Sequence, residues 1–349
     1  MCKSALHPLI CALPKVEQHI HLEGALEPDL LFSLAAKHGI KLLADDAAFT
    51  SEQALRDRYL RFTSLDDFLG YYYIGMSVLR ESVDFCELAW RYFQRAAKDG
   101  VRHAEVFFDP QAHLSRGIDY NTMLQGFVDA KKRAEDELHM SVNIIACFLR
   151  HLPVADSLAV FDNADVQASF RDGRVVGIGL DSSENDFPPV MFKEIYDKAR
   201  DLNVRRTAHA GEEGPAQNIA SALDNLGCQR IDHGLRLAED PVLMKRVADE
   251  GFLLTLCPVS NILLRCVPSM KEVPIRKFLD AGVKFSLNSD DPAYFGAYIL
   301  DTYCAVQEAH NLSVKDWETI CTNGIQGSWC SDERKNELMG ELRTVISQH

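Results

Sequence analysis

His19 and His21, two histidines separated by a single residue, are the clearest candidates for chemistry in this sequence. They lie in residues 15–22, a segment whose pattern is typical of a β-strand, and Gly24 follows in the turn. Side chains two positions apart on a strand face the same side, at a spacing of about 6.5 to 7 Å. Both imidazoles could therefore bind one metal ion, so the pair predicts half of a metal site.

Three later segments place further acids and histidines at positions where an apolar strand ends. These side chains are His209, Glu212, His233, Asp290 and Asp291. Three histidines with one aspartate form a suitable cage for zinc, with one position left for water. We therefore predict that one zinc ion is bound by His19, His21, His209 and Asp290. Zinc lowers the pKa of its water toward neutrality and so produces a hydroxide nucleophile, although iron and manganese stay open as alternatives.

The remaining strand-end side chains predict the roles that surround such a metal. Glu212 lies three residues after His209, where it could face the substrate and act as a proton shuttle. The alternative is a solvated carboxylate at the start of a helix near Pro215. His233 is predicted to orient the hydroxide, the alternative being a bond to the backbone. Asp291 is predicted to bind the substrate, because two adjacent buried acids each need a partner, and the alternative is that it caps the next turn.

Composition narrows the class of protein. The chain has 349 residues, of which 47% are hydrophobic and 25% charged, enough for a large core. A formal net charge of -14 argues against a general affinity for nucleic acid or anionic membranes and favours a small-molecule substrate. Ten cysteines without a Cys-x-x-Cys spacing indicate reduced thiols and predict a cytoplasmic location, with entry into the nucleus left open. No apolar run reaches the roughly 18 residues of a membrane span.

Eight short apolar stretches alternate with amphipathic ones along the chain. The predicted strands are residues 15–22, 101–108, 141–149, 175–181, 205–210, 229–233, 252–257 and 283–288. The predicted helices include residues 28–38, 84–99, 120–138, 188–202, 215–226 and 241–250, with another opening at Ser64, and residues 297–309, 313–325 and 332–346 after the last strand. This order predicts a single (β/α)8 (TIM) barrel domain over residues 1–349, with a helical insertion after the first strand and C-terminal helices. The active site of such a barrel lies at the carboxyl ends of its strands, where the motifs fall.

Five separated motifs together resemble the adenosine and adenine deaminase family of the metal-dependent amidohydrolases. They are residues 19–24, 209–212, 232–234, 257–261 and 289–292. The resemblance spans nearly the whole chain and implies the same zinc ligands that the spacing predicts. It also implies that Glu212 donates a proton to the purine N1, that His233 places the hydroxide and that Asp291 bonds N7.

Glu23 bears on the branch of the family. Adenosine deaminases carry an aspartate at this position, which contacts the ribose 5'-hydroxyl, and a side chain longer by one methylene favours a free base. Further segments resemble adenine deaminases of the fungal type, with one departure at Ala297, where a second glycine is expected. They include residues 71–75, 109–111, 179–184, 211–217 and 291–296. The resemblance thus implies hydrolysis of adenine to hypoxanthine and ammonia in purine salvage.

Other functions stay open at this point. The nearest alternatives are the deamination of adenosine or of N6-substituted adenines, and a more distant one is a binding or regulatory protein without activity. Protein partners are unknown. The eight histidines outside these motifs are predicted to be surface or core residues; His113 is the one whose position, in a polar loop after the second strand, comes closest to the site.

Overall fold

Parallel strands, paired in the order of the chain, form the centre of the molecule. The computed structural model describes residues 3–349. The strands are β1 (Lys15–His21), β2 (Val101–Phe108), β3 (Ser141–Leu149), β4 (Gly177–Asp181), β5 (Arg205–Arg206), β6 (His209–Ala210), β7 (Arg230–His233), β8 (Leu253–Leu256) and β9 (Lys284–Leu287). Strands β1 to β5 pair consecutively, as do β6 to β9, and every pair is parallel.

Backbone hydrogen bonds join the two sets of strands into one closed barrel. The predicted fifth strand is split into β5 and β6, but between them Thr207 N still donates to Ile178 O on β4 at 3.0 Å. The last strand meets the first where His21 N donates to Asp290 O at 3.0 Å and Asp290 N donates to His19 O at 3.1 Å. The predicted (β/α)8 fold is confirmed, and its eight strands correspond to β1 to β9 with the fifth in two pieces.

Helices surround the barrel and fill the long connection after β1. They are α1 (His7–Ala12), α2 (Pro28–His38), α3 (Glu52–Tyr59), α4 (Leu65–Met76), α5 (Ser82–Lys98), α6 (Pro110–Leu114), α7 (Tyr120–Leu138), α8 (Val154–Phe161), α9 (Ala164–Arg171), α10 (Lys193–Asp201), α11 (Ala216–Asp224), α12 (Pro241–Glu250), α13 (Pro258–Leu263), α14 (Ile275–Ala281), α15 (Pro292–Phe295), α16 (Ile299–His310), α17 (Val314–Gly327) and α18 (Asp332–Ile346). Within residues 3–349, no helix is long and apolar enough to cross a membrane.

The helix predictions differ from the structure mainly at prolines. Helices α2, α7, α12 and α18 have the predicted bounds. The helix predicted over residues 188–202 is instead a 3-10 turn, Pro189–Phe192, followed by α10, because Phe192 leaves the helical region with φ -98° and ψ 10°. Pro215 precedes α11 and does not begin it, since its ψ of 161° is extended. The helices that were not predicted are all short: α1, α3, α6, α8, α9, α13, α14 and α15.

The insertion between β1 and β2 covers the mouth of the barrel. Helix α4 begins after Ser64, whose hydroxyl accepts a hydrogen bond from Asp67 N at 3.1 Å, so the predicted cap is present. Five side chains of this helix line the cavity at the carboxyl ends of the strands: Leu65, Phe68, Leu69, Tyr72 and Tyr73. The insertion therefore supplies the apolar wall of that cavity.

A buried ion pair between Glu105 on β2 and Arg230 on β7 ties distant strands together. Both side chains are almost fully buried, and the carboxylate also bonds His103 Nε2 at 3.0 Å and the backbone N–H of Trp329. Burial alone would raise the pKa of Glu105, but the charge of Arg230 outweighs it and lowers that pKa to about 2. The pair is therefore ionised, and either partner alone would be a costly buried charge.

We predict that Glu105→Gln destabilises the fold by about 3 to 5 kcal/mol, because it leaves the Arg230 charge buried without its partner. Urea unfolding followed by circular dichroism measures this. The matched control is Glu135→Gln on α7, whose carboxylate is exposed and 3.9 Å from Lys131, and its effect should stay within about 0.5 kcal/mol. Equal stability of the two variants would contradict the role of the buried pair.

Candidate metal centre and active site

Three histidines and one aspartate meet at the carboxyl ends of β1, β6 and β9. One ligand atom from each of His19, His21, His209 and Asp290 lies within 4.8 Å of all the others. Asp290 Oδ1 is 3.1 Å from His19 Nε2 and 3.6 Å from His21 Nε2, and the Nε2 atoms of His21 and His209 are 3.3 Å apart. The four residues predicted from residue spacing thus face one point, although their positions in the chain span more than 270 residues.

The donor set and its protonation fit a metal ion. Burial lowers the pKa of His21 to about 4, and burial together with neighbouring histidines lowers the pKa of His209 well below its usual value. Neutral imidazoles are the form that binds metal. His19 Nε2 is buried and has no hydrogen-bond partner, although it faces Asp290. Nitrogen and carboxylate donors at this spacing suit a divalent metal ion.

Thr255 and Asp232 lie next to the Nδ1 atoms of His19 and His209, on the side of each ring away from the metal position. His19 Nδ1 lies 2.9 Å from Thr255 Oγ1, and that hydroxyl in turn donates to Asp232 Oδ1 at 3.0 Å. The second oxygen of Asp232 is 3.7 Å from His209 Nδ1. The hydrogen bond to Thr255 fixes the orientation of the His19 ring and leaves its Nε2 lone pair directed toward the metal position, whereas the 3.7 Å contact of His209 is too long for a hydrogen bond.

Two residues of the site have a backbone conformation that side chains other than glycine rarely adopt. His233 has φ of 60° and Asp290 has φ of 66°. Each such conformation costs on the order of 1 to 3 kcal/mol and is commonly kept at functional sites. Gly24 is needed for a different reason: a Cβ there would lie 2.0 Å from Asp291 Oδ1. The glycine of the first motif lets the two strand ends approach each other.

Glu212 lies beside the cage, buried and not solvated. Its Oε2 is 3.4 Å from His233 Nε2, and its Oε1 accepts a hydrogen bond from Asn261 Nδ2 at 3.3 Å. Burial, followed by the negative charges of Asp290 and Glu184, raises the pKa of Glu212 well above its usual value. A carboxyl group kept protonated in this way can donate a proton to a bound substrate.

Glu184 holds the loop that carries Glu212. Its carboxylate accepts hydrogen bonds from the backbone N–H groups of Gly211, Glu212 and Gly214 at 3.0, 2.7 and 3.3 Å. Asn218 Nδ2 donates a fourth bond at 2.7 Å. No local sequence pattern predicts a separate role for Glu184. It fixes the direction of the loop without touching the cage.

Asp291 faces the cavity next to Asp290. It precedes α15, but its side chain makes no capping hydrogen bond, so the alternative of a simple cap is not observed. Burial and the charges of Asp290 and Asp109 raise its pKa well above the usual value. Oδ1 of Asp291 has no hydrogen-bond partner within the described residues. An oxygen without a partner in a cavity is available to bind a polar substrate.

Glu23 lies behind the cavity wall and is not among the residues that line it. Its Oε1 accepts hydrogen bonds from the backbone N–H of Asp109 at 3.2 Å and from His113 Nε2 at 2.9 Å. Burial raises the pKa of Glu23 to about 7. His113 is a buried residue with both ring nitrogens hydrogen-bonded, in agreement with the prediction of a surface or core histidine, and one of its partners is the candidate site residue Glu23.

Asp109 and Asp181 form a second acidic corner of the cavity. Asp181 Oδ2 is 3.6 Å from His21 Nδ1, and one ligand atom from each of His21, Asp109 and Asp181 lies within 4.8 Å of the others. Burial and the charge of Glu23 raise the pKa of Asp109, and burial and the charge of Asp109 raise the pKa of Asp181 well above its usual value. Both acids lie at the end of an apolar strand, so the rule that identified Asp290 could have found them.

Comparison with known proteins places these residues in a family. The profile of the family described as Adenosine deaminase matches residues 14–345. An adenine deaminase of Aspergillus fumigatus is 55% identical over 351 residues, covering 100% of this chain and 99% of that protein. The crystal structure of an adenine deaminase from Arthrobacter aurescens is 40% identical with a TM-score of 0.90, covering 96% of this chain and 99% of that one. An amidohydrolase from Burkholderia ambifaria, solved with bound Zn, is 28% identical with a TM-score of 0.88, covering 100% and 95%.

We predict that Asp290→Ala loses its bound metal, because the substitution deletes one of four donors. Elemental analysis of the purified variant after dialysis measures the loss. Glu212→Gln is the control, since Glu212 does not belong to the cage and this variant should retain its metal. A normal metal content in Asp290→Ala, or loss of the metal from Glu212→Gln, would contradict the assignment.

A second prediction concerns the contact behind His19. Thr255→Val keeps the shape of the side chain but removes the oxygen that faces His19 Nδ1. We expect the affinity for Zn²⁺ to fall roughly 10- to 100-fold, which is the usual effect of removing a hydrogen-bond partner of a ligand. Competition with a chelator measures the dissociation constant. An unchanged constant would show that Thr255 does not orient the ligand.

Proposed function

This chain belongs to the adenosine deaminase family, and we propose that it hydrolyses adenine to hypoxanthine and ammonia with one zinc ion bound by His19, His21, His209 and Asp290. The observation that carries the proposal is the buried Glu212 carboxyl beside a cage of four ligands. The Glu212 carboxyl can supply a proton, and a metal ion held by the cage would activate a water molecule. The full-length identity of 55% to a protein named adenine deaminase supports the choice of substrate.

The reaction exchanges the amino group at C6 of the purine for the oxygen of water. His19, His21, His209 and Asp290 would hold the zinc ion, whose chemistry when bound would be to lower the pKa of water toward neutrality and so make it a better nucleophile. Glu212 protonates N1, which removes aromatic stabilisation from the ring and makes C6 electrophilic. The water oxygen bonds to C6, and as the C6–N6 bond breaks and C6=O forms, the hydroxyl proton passes to N6, which leaves as ammonia; the first proton given up by the water restores Glu212. Acid and nucleophile must act on one fixed purine, so the position of the ring matters as much as the chemistry.

The remaining residues hold the reactants. His233 lies 3.4 Å from Glu212 and 3.8 Å from Asp290, a position from which it can orient the attacking oxygen. Asn261 Nδ2 lies within 3.3 Å of both Glu212 and His233 and holds the two side chains in a fixed relative position. We propose that Asp291, which lines the cavity, bonds the purine at N7. The aromatic and aliphatic side chains of α4 cover the cavity and exclude bulk water.

The free base is the proposed substrate because of the surroundings of Glu23. Its Oε1 is bonded to His113 and to the backbone of Asp109, and its Oε2 is buried. Because Glu23 does not line the cavity, we propose that neither oxygen meets a ribose hydroxyl. A nucleoside whose hydroxyl groups are buried without partners binds less well. We also propose a place in purine salvage in the cytoplasm. The absence of disulfides from the described part of the chain is consistent with that location.

We predict that the zinc-loaded protein deaminates adenine and that kcat/KM for adenosine is at least about 100-fold lower, because a ribose lacks both room and a hydrogen-bond partner. Ultraviolet spectroscopy with adenine, adenosine, 2'-deoxyadenosine and N6-alkyladenines, together with ammonia release, measures the rates. Glu212→Gln with its metal retained is the control and should lose about 10²- to 10⁴-fold in kcat. Equal kcat/KM values for adenine and adenosine would contradict the preference for a free base and would favour the nucleoside as the substrate.

A further inference from the structure

Arg116, His113 and Glu23 form a hydrogen-bonded chain that no step of the proposed reaction uses. Arg116 Nη2 lies 2.6 Å from His113 Nδ1, and His113 Nε2 lies 2.9 Å from Glu23 Oε1. His113 and Glu23 are at most 1% exposed. Phe85 packs edge-on against the His113 ring at 4.9 Å between centroids. The imidazole therefore has one orientation.

The donors in this chain can be assigned without ambiguity. A guanidinium has only N–H donors, so His113 Nδ1 must accept the bond from Arg116. The proton of the neutral imidazole is then on Nε2, where it is donated to Glu23. The low pKa of His113, about 3 because of burial and the Arg116 charge, agrees with a neutral ring. Arg116 thus sets the tautomer that holds Glu23.

Each end of the chain is anchored to a wall of the cavity. Arg116 Nη1 donates to the carbonyl oxygens of Ser77 at 3.1 Å and Leu79 at 3.3 Å, directly after the covering helix α4. At the other end Glu23 Oε1 also accepts the backbone N–H of Asp109, whose side chain lines the cavity. The segment after helix α4, which covers the cavity, and Asp109, which lines it, are therefore connected through the imidazole of His113.

We propose that His113, oriented by Arg116, is a positioning residue that fixes Glu23 and the Asp109 wall, and thereby sets the preference for a free purine base over a nucleoside. This inference rests on the proposed function. It gives the length of Glu23 a physical reason: an aspartate would be shorter by about 1.5 Å, one carbon–carbon bond, and would not reach His113 and Asp109 N together. The wall next to the base would then be free to move.

The test compares two buried histidines of comparable surroundings. His113→Leu removes the donor to Glu23. The control, His103→Leu, removes the donor to Glu105, which lies 3.0 Å from His103 Nε2. His103 lies earlier in the same segment of the chain, but away from the cavity. We expect His113→Leu to raise KM for adenine roughly 10- to 100-fold, the usual effect of losing a hydrogen bond to a charged partner. The kcat should change much less, the discrimination against adenosine should fall and bound zinc should stay. His103→Leu should lower the melting temperature but leave KM unchanged.

Two further variants make the outcome decisive. His113→Gln retains an amide donor and should recover part of the affinity, and it carries the test if His113→Leu does not fold. His113→Leu should have little further effect in a Glu23→Gln background, because the partner is already altered. If KM for adenine is no higher in His113→Leu than in His103→Leu, the positioning role of His113 is wrong, while the proposed function is unaffected. A wild-type protein that leaves adenine unchanged would refute both.

Discussion

Five carboxyl groups are buried around one small cavity, and the rest of the site depends on how their charges are compensated. They belong to Asp109, Asp181, Glu212, Asp290 and Asp291, and among the described residues no lysine or arginine lines the cavity with them. Buried carboxylates without a cation are too costly to keep ionised. A metal ion at the histidine cage would compensate the charge of Asp290, and burial raises the pKa of the other four carboxyl groups, which favours their protonated form. The same constraint favours the acid that the reaction needs, since burial, together with the charges of Asp290 and Glu184, raises the pKa of Glu212 well above its usual value.

The barrel can bear this constraint because hydrogen bonds from several strands determine each position. Asp290 keeps its left-handed backbone between two hydrogen bonds to β1, and Glu184 uses four donors to hold the loop of Glu212. The Arg116–His113 pair does the same for Glu23. In each case polar groups behind the cavity wall fix the position of a residue that either lines the cavity or supports its wall. Precision at the site therefore comes from residues that do not meet the substrate.

The sequence predicts the cage because strand periodicity alone places His19 and His21 on one side of a strand, and parallel strands collect their carboxyl ends at one face. The same reasoning predicts the barrel and most helix bounds. It does not find the partnership of Glu23 with His113, because those residues are 90 positions apart and no local pattern records their contact. It also misses the break in the fifth strand and the turn at Pro189–Phe192, where backbone angles chosen by tertiary packing override the periodic pattern.

The position of the metal tests the central claim most directly, because the structure offers more than one group of candidate ligands. Besides the cage, close sets of potential ligands are formed by His21, Asp109 and Asp181, and by His19, His233, Cys257 and Asp290. A crystal of the zinc-loaded protein, measured at the zinc absorption edge, would locate the ion by anomalous diffraction. The account predicts one peak, bonded to His19, His21, His209 and Asp290. A peak at the acidic corner of Asp109 and Asp181, with the cage empty, would contradict it.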